Sequence, residues 1–196
     1  MQLIDVGVST EARVRELPDR PYIATMCVVA DVLDCLYEGF ISEKARMYIR
    51  QTIDVGKASL RGDLNSGEIA LSLLLSMEAI LDDPKFDPPG IVDSMYKMVR
   101  VFAGEISGEY PLREAPVYLA VSVLGYNGNL EEPNSSETYF QEADESSPDA
   151  RLLRGFWRVA DLAESVVPLD PDAIRREVFG EERQALIDKL LGDGLR

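Results

Sequence analysis

The chain has 196 residues, 46% of them apolar and 28% charged, with a net charge of −15 and no histidine. That length suits a proper hydrophobic core without metal or disulfide support. The charge leaves no basic surface to neutralise phosphates, so direct binding to nucleic acid or anionic membrane is not expected. The lack of histidine removes the commonest general base and the commonest transition-metal ligand.

No run reaches the roughly 18 apolar residues of a membrane-spanning helix. The start, Met1-Gln2-Leu3-Ile4-Asp5, has no basic patch followed by an apolar stretch, so a secretory leader is not expected.

Residues Leu3 to Val8 are apolar and β-branched, which suits a short extended segment. Ser9 or Thr10 can cap a short helix that Pro18 stops. Pro21 opens a strong helix to about Glu38, with Ile23, Met26, Ala30, Leu33 and Tyr37 as its apolar stripe and Gly39 as its stop. Ser42 caps the next helix, where Ala45, Ile49 and Ile53 recur at intervals of four; Gly56 is read as its end.

Asn65 with Glu68 resembles a capping box. The helix from Gly67 to Leu81 is apolar nearly all round, the pattern of a central, buried helix. Asp87 and Pro88 begin another, with Ile91, Met95, Met98, Val99 and Phe102 on its core face. Residues 116–124 suit a strand or a buried helix; Pro116 and Gly125 as end signals favour helix.

Ser147 and Pro148 open a helix to Val167, with Leu153, Phe156, Trp157, Ala160 and Ala163 as its buried face. Asp170-Pro171 starts one more, which Gly180 interrupts before a last stretch from Glu181 to Leu191. The expected fold is all-α, a single bundle of about seven to nine helices over residues 1–196, with a long acidic loop at about 127–149.

Cys27 and Cys35 fall eight residues apart on one helix. A rise of about 1.5 Å per residue separates them by about 12 Å, too far for a disulfide. A thiol pair fits a reducing compartment, so a cytoplasmic protein is expected.

The acidity is uneven. Residues 113–150 hold eight acids against one base, whereas residues 151–196 hold nine against eight. Glu131, Glu132, Glu137, Glu142, Asp144 and Glu145 surround Tyr139 and Phe140 in the long loop. Carboxylates steer a basic partner and aromatics supply desolvated anchor area, so these eight residues are the candidate partner-binding site. The loop can equally fold back on Arg151, Arg154 and Arg158, which share the next helix face.

Asp31, Asp34 and Glu38 fall at i, i+3 and i+7 on the first strong helix. With Glu78, alone among leucines on the apolar helix, they are the candidate ligands for a hard cation such as Mg²⁺. A solvated helix face and an Arg-paired glutamate are the plainer reading and the favoured one, so no metal or cofactor is expected. A di-iron carboxylate bundle needs Glu-x-x-His, which this chain cannot supply. Phosphate-loop, dinucleotide-fold, serine-elbow and Cys-x-x-Cys patterns are all missing.

These features favour a protein that acts by contact rather than turnover. The first expectation is an acidic inhibitor or immunity-type protein that neutralises a basic toxin or enzyme. The second is a helical adaptor or homodimer, which requires an exposed apolar patch. The third is a Mg²⁺-dependent hydrolase of a phosphorylated substrate.

Overall fold

The computed structural model describes residues 10, 12–36, 42–63, 65–81, 91–103 and 148–182. They form an all-α fold, with no strand among the described residues. After a helical turn at residues 12–15 come α1 (Asp19–Leu36), α2 (Glu43–Arg61), α3 (Ser66–Glu78), α4 (Ile91–Phe102), α5 (Pro148–Ser165) and α6 (Pro171–Phe179). The extended segment read at residues 3–8, the ambiguous 116–124 stretch and the stretch after Glu182 lie outside the described residues.

The central helix is α1. From Tyr22 to Leu36 every residue except Asp31 is buried. It packs against α2, α4, α5 and α6. The apolar helix α3, expected at the centre, instead packs on α2 and α4 at one side. It buries only Ala70, Leu73, Leu74 and Met77, spaced as a single helical face. The reason is electrostatic as much as hydrophobic. Carboxylates block burial only if they lack partners, and those of α1 meet arginines from α2 and α6.

One cluster of buried side chains runs from Val14 through all six helices to Phe179. Of the core faces expected for α2 and α4, Ala45, Ile49 and Ile53 are buried, as are Met95, Met98, Val99 and Phe102; the Ile91 side chain lies outside the described residues. On α5, Leu153, Phe156, Ala160 and Ala163 are buried, but Trp157 lies among the exposed large hydrophobics. It immediately follows Phe156, a full 100° around the helix.

Several helix ends differ in detail from their sequence signals. Ser42 does cap α2, its hydroxyl accepting from the Ala45 amide at 3.2 Å. Asp170 caps α6, accepting from the Asp172 amide at 3.0 Å. Asn65 stands at the start of α3 but its side chain makes no capping bond. Gly56 does not end α2, which continues to Arg61 and stops at Gly62, a left-handed residue with φ 75°.

Gly56 is instead a point of close approach between three helices. A Cβ there would lie 2.4 Å from Cys27 Sγ and 2.9 Å from Phe102 Cε2. Gly155 plays the same part between α5 and α6, where a Cβ would lie 2.6 Å from the Phe179 ring. The Phe179 ring meets Phe156 edge-on, with centroids 6.2 Å apart.

Candidate functional site

The acidic stripe of α1 is not a solvated face. Asp34 is 1% exposed, and its carboxylate is gripped side-on by Arg46 of α2. Arg46 Nε donates to Oδ1 at 2.9 Å, and a second guanidinium nitrogen donates to Oδ2 at 3.2 Å. Arg50, one turn further along α2, approaches Oδ2 at 3.5 Å. Such bidentate geometry satisfies both oxygens and is what permits the pair to be buried.

Asp31, one turn before Asp34, accepts from Arg175 Nε at 3.1 Å. The same guanidinium donates to the carbonyls of Gly180 at 2.5 Å and Glu181 at 2.9 Å, tying off the end of α6. Arginines thus stand where a cation would have to sit. No group of three or more Cys, Asp or Glu able to hold a metal occurs among the described residues. Glu38 lies outside them. Glu78 is exposed rather than buried, and its Oε1 accepts from the Tyr96 hydroxyl at 2.7 Å. Its expected burial fails because α3 turns that side away from the core.

Both cysteines are buried and neither forms a disulfide. Burial pushes the Cys27 thiol up to about 12, with the Lys57 charge opposing. A thiol that stays protonated is a poor nucleophile, so Cys27 is a packing residue.

The expected partner-binding residues Glu131, Glu132, Glu137, Tyr139, Phe140, Glu142, Asp144 and Glu145 all lie outside the described residues. The arginines of the alternative reading, Arg151, Arg154 and Arg158, are all exposed, and Arg158 approaches Glu177 of α6 at 3.6 Å.

A surface that sequence reasoning missed is the outer side of α3. Ile69 is 52% exposed, Leu71 58% and Leu75 60%. Beside them, α2 and α3 enclose a hollow of about 620 Å³. Met47, Tyr48, Val55, Ile69 and Leu73 give it an apolar lining, with the exposed carboxylates Asp54 and Glu68 also on its wall. The Tyr48 hydroxyl donates to the Ser76 carbonyl at 3.2 Å and holds the two helices in register. The signal was present as an excess: a helix of 13 residues carries more large apolar side chains than one buried face can take.

A second hollow, of about 490 Å³, lies between the end of α2 and the turn into α6. Its cations are engaged. Arg20 donates to the Leu60 carbonyl at 2.7 Å, Lys57 to Asp172 at 2.6 Å and Arg61 to Asp63 at 3.1 Å. That leaves it without a ready anion site.

No helix among the described residues is long and apolar enough to cross a membrane. Compared with known proteins, the chain matches no family model, no curated protein and no solved structure at a significant level.

Proposed function

We propose that this chain is a non-catalytic protein-binding module whose working surface is the outer side of α3. The observation that carries the reading is the exposure of Ile69, Leu71 and Leu75 together on one short helix. Full burial of such a side chain stabilises by about 1.5–3 kcal/mol. A surface that withholds three of them from the core gains by covering them with a partner.

The partner is basic, a reading supported by the net charge of −15. In its finer form the module is an acidic inhibitor or immunity-type protein that neutralises a basic toxin or enzyme in a reducing, cytoplasmic compartment. The acidic composition and the two unjoined thiols favour it.

The test is affinity capture from host lysate at low and high salt, with wild type beside Leu71→Ser/Leu75→Ser. Both changes are at exposed positions, so the variant is expected to keep the wild-type melting curve. A stoichiometric basic protein held by wild type, released by salt and lost by the variant supports the reading. Equal capture by both proteins overturns the assignment of this surface.

A further inference from the structure

On α3, Glu68, Leu71, Leu75 and Glu78 fall at i, i+3, i+7 and i+10. At 3.6 residues per turn these four positions share one stripe, about 15 Å long. All four are exposed. The stripe therefore reads acid, leucine, leucine, acid. Neither glutamate has an ion-pair partner among the described residues; Glu78 instead takes a hydrogen bond from the Tyr96 hydroxyl. Nearby cations are already held: Lys97 pairs with Asp93 at 2.5 Å, and Arg100 lies over the Tyr96 ring, 5.9 Å from its centroid. Of the four, Glu68 also borders the apolar hollow between α2 and α3, so stripe and hollow meet at that residue.

From this arrangement the geometry points to one class of occupant: an amphipathic helix of a different protein, apolar along its centre and flanked at both ends by lysine or arginine. The inference rests on the protein-binding reading above and specifies its partner's chemistry. Two leucines at i and i+4 offer a ridge for helix-on-helix packing, and the hollow reached at Glu68 takes one bulky apolar anchor. The two glutamates select the flanks, because a desolvating interface penalises like charges and rewards opposite ones.

The same charges argue against a second copy of this chain as occupant. Antiparallel pairing of two such stripes sets Glu68 against Glu78, and parallel pairing sets each glutamate against itself. Either way carboxylates face carboxylates at both ends, between molecules that each carry a net charge of −15.

The test uses the full chain and two fluorescent helical peptides with the same leucine stripe, one flanked by lysines and one by glutamates. Fluorescence anisotropy reads their binding. The lysine-flanked peptide is expected to bind about tenfold more tightly, as two rim ion pairs in place of two like-charge contacts imply. Leu71→Ser/Leu75→Ser should abolish that binding. Glu68→Lys/Glu78→Lys should reverse the preference, although the molecule stays strongly acidic overall.

Equal binding of both peptides, lost in the leucine variant, overturns the charge-flanked partner while leaving the apolar protein-binding surface standing. Tight lysine-peptide binding that survives both double variants is attraction by net charge alone and overturns both readings. Light scattering that shows a wild-type dimer broken by the leucine variant makes a second copy the occupant and overturns both the inference and the basic partner proposed above. Circular dichroism melts of each variant keep loss of binding separate from loss of fold.

Discussion

Asp34 and Arg46 form a buried bidentate ion pair between α1 and α2, with Arg46 Nε 2.9 Å from Asp34 Oδ1. Breaking one side of such a pair leaves a charge in the core without a counterpart, at a cost of about 3–5 kcal/mol. Asp34→Asn is therefore expected to lower stability on that scale in a urea melt, since it also takes the counter-charge from Arg50, 3.5 Å away. The double variant Asp34→Leu/Arg46→Met removes both charges and should be markedly less damaged than either single change. Equal damage in the double would mean that packing, not charge, sets the cost.

Gly56 is needed for closeness. Alanine at position 56 gains helix propensity of up to about 1 kcal/mol. It also drives a methyl group into Cys27 Sγ and the Phe102 ring. Overpacking of this kind costs about 1–3 kcal/mol. Gly56→Ala is expected to destabilise, and adding Cys27→Ala should recover part of the loss by opening space. A double-mutant cycle measured by denaturation reads the coupling directly; strict additivity would contradict the contact.

Cys27 should be inert in the folded protein. Burial favours its protonated form, raising it from the ordinary value of 9.0 to about 12. At pH 8 a thiol-reactive dye is expected to label Cys27 only after denaturant is added, read by mass spectrometry of the labelled peptide. The shift also links to stability. Above pH 9.0 the unfolded chain releases this proton while the native state retains it. Native stability should therefore decline from about there towards pH 12, and Cys27→Ala should remove that part of the decline.

Thr25 is buried on α1, and its hydroxyl has no hydrogen-bond partner among the described residues. An unsatisfied buried polar group costs about 1–3 kcal/mol. Valine has nearly the same shape without the hydroxyl, so Thr25→Val is expected to raise the melting temperature. A lower one would show that the hydroxyl is satisfied in solution.

The ion pairs at the surface should behave oppositely. Lys57 meets Asp172 at 2.6 Å, but the Asp172 side chain is 59% exposed. Solvent screens such a pair, so Lys57→Met is expected to cost less than about 1 kcal/mol, and less still in high salt. A loss comparable to that of Asp34→Asn would place Lys57 in a tighter network than its exposure indicates.

Much of the helical skeleton was legible from residues alone, because its signals are local. Ser42 and Asp170 mark the starts of α2 and α6 with their own side-chain oxygens. The i, i+3, i+4 repeats of Met95, Met98, Val99 and Phe102 name the buried face of α4 without reference to any other helix. The distance between Cys27 and Cys35 along one helix already ruled out their disulfide.

What no local pattern decides is which helix is surrounded. By its apolar residues alone α3 belongs at the centre, with Asp31 and Asp34 a solvated stripe or a cation site. The tertiary structure reversed both, because Arg46 lies 12 residues from Asp34 and Arg175 lies 144 from Asp31, and only folding brings them together. Once those carboxylates are matched, α1 can be enclosed on every side; α3, which among the described residues packs on α2 and α4, keeps Leu71 and Leu75 in the open. Periodicity determines which residues share a face, but the neighbours that cover a face, and the charges they bring, exist only in three dimensions.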